Sequence, residues 1–164
     1  MSIETETLDR DALTNLQLIR LRQMLVQILK DNAFYREKLK SAGINSPEDI
    51  QTIKDYRQLP FTSKTELSAD QTAHPPYGTN LTFSHDRYIR VHQTSGTTGE
   101  PLRWLDTEES WNWFANCWKK VYRGASVTAD DRLFFAFSFG PFIGFWTAHE
   151  GARAIGALSI SGGS

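Results

Sequence analysis

The sequence predicts an α/β chain in two parts: a helical N-terminal extension over residues 1–70, then an incomplete α/β subdomain over 71–164 holding a β-hairpin and a parallel β-α-β unit. Three observations lead there. Apolar residues recur at helical spacing early in the chain, a hydroxyl-and-glycine turn sits between two short alternating stretches near 88–105, and an apolar run at 133–137 is followed by a helix-length segment and a second short apolar run.

From about Asp9 to Asn32, Leu18, Leu21, Leu25 and Ile28 keep one helical face, which Met24 and Leu29 are expected to widen. A second helix is expected from Phe34 to Ala42, stopped by Gly43. Ser46-Pro47-Glu48-Asp49 has the form of a cap, a first-turn proline and acidic residues at the positive helix end, so a short helix should run to about Lys54. Pro60 breaks the chain, and Ser63 with Glu66 three residues later forms a capping-box pattern for the next helix. Asp70 to Asp86, with Pro75-Pro76, Gly78 and Asn80, is expected to be loop. Its His74 and His85 lack metal-like spacing and are read as solvated.

Tyr88–His92 and Pro101–Leu105 alternate like paired strands, which makes Gln93–Glu100 a hairpin tip. Within it, Thr94, Ser95, Thr97 and Thr98 offer hydroxyls, while Gly96 and Gly99 remove Cβ atoms where a ligand would approach the backbone. Successive N–H groups in such a turn make a nest for anionic oxygen. The loop is not a Walker A motif, because Glu100 and not lysine follows Gly99. Asp106 and Glu109 suggest a cap for a helix reaching about Arg123, with Trp111, Phe114, Ala115, Trp118, Val121 and Tyr122 as its core stripe. Leu133–Phe137 reads as a strand covered on both faces, Phe142–Arg153 as a crossover helix and Leu158–Ile160 as the next parallel strand. His149-Glu150 is not a zinc-protease motif, since Arg153 stands where the second histidine would be. Ser161-Gly162-Gly163-Ser164 normally feeds another helix, so the α/β pattern is expected to be truncated at 164.

Composition narrows the partners. At 164 residues, 40% hydrophobic and 23% charged, the chain is an ordinary globular domain. A net charge of -1 provides no field for nucleic acid or an anionic membrane, and no apolar run reaches the ~18 residues of a span. The lone Cys117 and the acidic start, without a basic leader and apolar stretch, suit a reducing cytoplasm.

The ordered string Ser95-Gly96-Thr97-Thr98-Gly99 followed by Pro101 resembles the phosphate-binding signature of the adenylate-forming synthetases. Within that superfamily the chain is similar to phenylacetate-CoA ligases through Asp31–Arg36, Leu59–Lys64, Arg90-Val91-His92, Ala148-His149 with Gly151-Ala152, and Ser161–Gly163. The resemblance implies ATP-dependent activation of a small carboxylic acid as an acyl-adenylate, then transfer to CoA, with Mg2+ offsetting phosphate charge. It implies nucleotide-binding roles for Thr94, Ser95, Gly96, Thr97, Thr98 and Gly99, with Arg103 in support because Glu100 replaces the loop's usual basic residue. It also implies an acyl pocket with Phe139 and Phe142 as walls beside Gly140, and Gly144 as a space-maker, although these residues by themselves fit a packed core equally well. The catalytic lysine of the family is expected outside this chain, so no catalytic residue and no metal ligand is assigned within it. Two other readings stay open: a non-catalytic binding or oligomerisation module, and one chain of a split ligase. A homodimer or a complementing C-terminal polypeptide is the partner each implies.

Overall fold

The structure, a computed structural model, describes residues 7–95 and 99–163. Its contacts divide the chain into two units, one ending at Phe83 and the other beginning at Ser84.

The first unit is built on α1 (Arg10–Asp31) and α2 (Ala33–Ser41). Asp9 caps α1 by accepting from Ala12 N–H at 2.8 Å. Asn32 joins the two helices, and its buried side chain (2% exposed) both caps α2, accepting from Tyr35 N–H at 3.0 Å, and donates to Asn80 O at 2.8 Å and Thr82 Oγ1 at 3.0 Å. Leu18, Leu25, Leu39, Ile44 and Ile50 form the core, with Leu21, Ile28 and Leu29 packed on it. Met24 does not join them: at 51% exposure it lies about 100° round the helix from Leu25, off the apolar stripe.

The helix expected from Ser46 to Lys54 is two pieces. Pro47–Asp49 makes a 3₁₀ turn, Ile50 leaves it in extended backbone to fill the core, and α3 (Ile53–Tyr56) starts afresh on a Thr52/Asp55 capping box. Burying Ile50 requires the chain to leave the helical path there. Helix α4 (Lys64–Ala73) begins on the expected Ser63/Glu66 box and takes in the first residues of the expected loop. Asp70 on that helix then accepts from Thr79 N–H and Oγ1, both at 2.7 Å, which fastens the segment after it.

In the second unit β1 (Tyr88–Gln93) and β2 (Arg103–Thr107) pair antiparallel, and β2 runs directly into α5 (Glu108–Gly124). Thr107 caps that helix through Ser110 N–H, which corrects the cap expected at Asp106. Asp106 is still within the strand, paired with Arg90, and is buried. Then come β3 (Arg132–Phe135), α6 (Ile143–Ile155) and β4 (Leu158–Ser161), the strands parallel with Phe134 opposite Ile160. Gly156 closes α6 at φ +86°, a left-handed stop that returns the chain to the sheet.

Helix α5 packs tightly on α6. A Cβ built on Gly151 would overlap Trp118 Cβ, Tyr122 OH donates to Ala148 O at 2.9 Å, and Trp118 Nε1 donates to Thr147 Oγ1 at 3.0 Å. Tyr122, Phe135, Ala148 and Ala152 form the core beneath the sheet. Val121, expected in the α5 stripe, is 56% exposed. The strand expected to be covered on both faces is covered on one: Phe135 is buried, whereas Phe134 is 64% exposed and shares an uncovered face with Ile160. Helices α5 and α6 supply Tyr122, Ala148 and Ala152 to the Phe135 side.

Candidate functional site

The loop between β1 and β2 is held at its base by Thr94. Thr94 N–H donates to Leu102 O at 3.0 Å, and Thr94 Oγ1 accepts from Leu102 N–H at 3.0 Å, so both groups extend the hairpin ladder one step past the strands. Ser95, Gly99 and Glu100 follow on the exposed tip, while Gly96, Thr97 and Thr98 lie outside the described residues. Arg103 is exposed and pairs across with Gln93, which sets it on the hairpin face opposite His92.

The aromatic segment expected to line an acyl pocket meets the hairpin through the backbone: Gln93 N–H, at the end of β1, donates to Pro141 O at 3.0 Å. That bond brings the two predicted residue sets together. Phe139 is half-buried among rings, with centroids 5.4 Å from Phe137, 4.8 Å from Trp146 and 5.5 Å from His149. Gly140 turns the chain at φ +49°; its carbonyl accepts from Trp146 Nε1 at 2.9 Å, and a Cβ there would press on the Phe142 ring at 3.2 Å. Phe142 precedes α6 with its ring 6.2 Å from Phe145. Gly144 is exposed, with open space where its Cβ would be.

Beneath the hairpin lies a polar cluster that pattern reading missed. His92 stacks on Trp111 at 5.1 Å and 13° between planes, the Arg90 guanidinium sits 4.4 Å over the same indole, and Arg90 Nη2 meets Glu150 Oε1 at 3.4 Å. His92 Nδ1 stands 3.7 Å from Asp106 Oδ2, an ion-pair separation too long for a hydrogen bond. Asp106 Oδ1 accepts from Ser110 Oγ at 2.9 Å. Burial holds the His92 pKa below its usual value; Arg90 pushes the same way and Asp106 partly opposes. His92 is therefore neutral at pH 7. The one available signal was Arg90 and His92 two apart on a strand, which put them on the same face.

Among the described residues no group of His, Cys, Asp or Glu is placed to hold a metal ion, and no helix is long and apolar enough to cross a membrane.

No family model matches the chain. A phenylacetate-coenzyme A ligase from Escherichia coli is 32% identical over 160 residues, covering 96% of this chain and 35% of its own length. One from Thermus thermophilus is 33% identical over 162 residues, covering 98% and 35%. The chain belongs to the phenylacetate-CoA ligase family.

It corresponds to an N-terminal portion of phenylacetate-CoA ligases and spans about a third of the length of the curated relatives it matches. Similarity extends to solved acyl-CoA ligase structures. Two crystal structures of 2-hydroxyisobutyryl-CoA ligase, an open conformation with 2-HIB-AMP and CoA and a thioesterification state with the same pair, match it with TM-scores of 0.90 and 0.91 at 27% and 29% identity. Each covers 98% of this chain, which spans 36% and 34% of those chains. The helix-rich chain with its hairpin and parallel strand pair is thus an α/β portion of the acyl-CoA ligase fold.

Proposed function

We propose that this chain is the phosphate-gripping and acyl-lining part of an ATP-dependent, AMP-forming carboxylate-CoA ligase, with an aryl acid such as phenylacetate as substrate. The observation that carries the reading is the Gln93–Pro141 bond, which ties the start of the hydroxyl-and-glycine loop to the aromatic bend. In the first step a carboxylate oxygen attacks the α-phosphorus of ATP and pyrophosphate leaves; in the second the CoA thiol attacks the adenylate carbonyl and AMP leaves. Bringing a carboxylate against a polyanion is the barrier, so fixed donors at the phosphates and a held acid are what the protein contributes. In this reading Ser95, Thr97 and Thr98 hydroxyls and the Gly96 and Gly99 amides grip the β- and γ-phosphates. Thr94 keeps the loop base in register, and Arg103 offsets Glu100. Phe139 and Phe142 wall the acid beside Gly140, and Gly144 leaves room at the start of α6. The described residues gather no set of His, Cys, Asp or Glu that would hold Mg2+. The group that completes catalysis belongs to polypeptide beyond these residues, and a reducing cytoplasm is the setting.

The test is ATP binding by this chain, measured by calorimetry. Thr97→Ala with Thr98→Ala removes two hydroxyl-to-anion bonds at about 1.5–3 kcal/mol each, so affinity should fall on the order of 10²-fold or more. Equal binding by both proteins, or none by the parent, overturns the loop assignment. The chain by itself should show no ATP–pyrophosphate exchange, and measured turnover would end the claim that a further part is required.

A second reading, a module that works against another polypeptide, is favoured by the uncovered Phe134 and Ile160 face of the sheet. It predicts a dimer, or recovery of exchange on mixing with a C-terminal ligase portion.

A further inference from the structure

Helix α6 carries two consecutive side chains that face the two halves of the proposed site. His149 stands edge-on to Phe139 at 5.5 Å between centroids, beside the aromatic bend, whereas Glu150 reaches the hairpin. Glu150 Oε1 pairs with Arg90 Nη2 of β1 at 3.4 Å, and Oε2 accepts from Arg153 Nε at 2.9 Å. The two arms are unequal. Arg153 is 71% exposed, so water screens that pair, but the Glu150 side chain is only 14% exposed and the Arg90 guanidinium lies over the Trp111 ring at 4.4 Å. Arg90 is thus already held by the indole of α5, and little side-chain freedom is left to lose when it meets the carboxylate.

The place of Arg90 on β1 gives this pair its consequence. Three residues further along the same strand, Gln93 N–H donates to Pro141 O, just before α6. A single attachment is a pivot, and a second one along the same strand fixes the tilt as well.

We infer that Glu150 is a positioning residue: by holding Arg90, it sets the angle at which the hairpin presents the loop that starts at Gln93 to the aromatic bend before α6. Its value to a bound nucleotide rests on the phosphate reading of that loop; the position of the hairpin does not.

The experiment is amide hydrogen exchange, read by NMR on the ¹⁵N-labelled 164-residue chain, with Glu150→Gln, Glu150→Asp and Arg153→Gln. Removing the charge, or shortening the reach by one methylene, should speed exchange of Gln93 N–H about 10-fold, the order of one charge-assisted bond lost from a local opening. The Tyr122 and Ala152 amides, in the core of α5 and α6, should keep their parental rates, and Arg153→Gln should leave Gln93 as it is. Unchanged Gln93 exchange in both Glu150 variants overturns the inference. So does a rise that Tyr122 and Ala152 share, or loss of folding in both variants, because the pair is then ordinary core structure. ATP calorimetry on the same proteins adds the binding arm: where the parent binds, Glu150→Gln should lower affinity several-fold, and equal affinity overturns the positioning role. No binding by the parent defeats the phosphate reading instead, and the Gln93 exchange rates still decide what Glu150 holds.

Discussion

Asn32 shows how much one side chain settles in the first unit. Its carbonyl oxygen caps α2 and its amide donates twice to the segment around Asn80, from a position 2% exposed. Asn32→Ala should cost about 2–3 kcal/mol, combining a lost cap with the lost bond to Asn80 O, read as a lower urea midpoint. Asn32→Asp keeps the cap but points a carboxylate at Asn80 O, and should recover little of the loss. His92 makes a pH prediction. Its folded pKa lies below the unfolded value because burial disfavours the charged form, so the unfolded chain binds more protons. The stability of the second unit should be full above pH 6.5 and fall as pH drops below it. Arg90 and Asp106 face the ring and Glu150 faces Arg90, so the shift includes their opposed fields. A His92 proton resonance titrating above 6.5 would contradict this.

At the scale of elements, the α5–α6 contact depends on a missing side chain. Gly151→Ala forces a Cβ into Trp118 Cβ, a stem atom that moves only with its helix, so overpacking should cost about 1–3 kcal/mol and lower the melting temperature. An unchanged melting temperature would mean that the helices lie further apart than described. Helix α4 is tied differently. Glu66 bonds Lys38 Nζ and also closes the Ser63 capping box, and the Lys38 bond is the main reason its carboxyl is lowered to about 2. A depressed carboxylate stabilises above its unfolded value, so this contribution should be complete above pH 4.5 and disappear as pH falls toward about 2. Helicity followed by circular dichroism across that range, against Glu66→Gln, checks it: the variant should lack this component of the acid transition. Ser63/Glu66 was legible in the sequence because a capping box closes within four residues. The α5 cap was not placed correctly, because Asp106 and Thr107 are both good caps and only the depth of β2 decides which one is left for the helix.

For the whole molecule, neighbouring residues on β3 have opposite environments. Phe135→Ala empties a core position and should cost about 3–5 kcal/mol, whereas Phe134→Ala changes an exposed ring and should stay within about 0.5 kcal/mol for the chain as a monomer. A larger, concentration-dependent loss at Phe134 in sedimentation and melting experiments would reveal that another polypeptide covers the face. The uncovered face also marks the limit of pattern reading: an apolar run such as Leu133–Phe137 announces a buried strand, but whether its second face is covered depends on residues that the run does not contain.

Short-range chemistry written along the chain sets the capping boxes, the helical stripe through Leu18 and Leu25, the β-α-β order and the ordered loop string that pointed to the family. Tertiary structure alone decided that Met24 and Val121 face outward, that Ile50 breaks a helix to reach the core, and that Arg90, His92, Asp106 and Trp111 meet in one enclosed polar cluster. The division follows from range. Caps and periodicity act over three or four residues, whereas burial is a property of what the rest of the chain puts opposite a side chain.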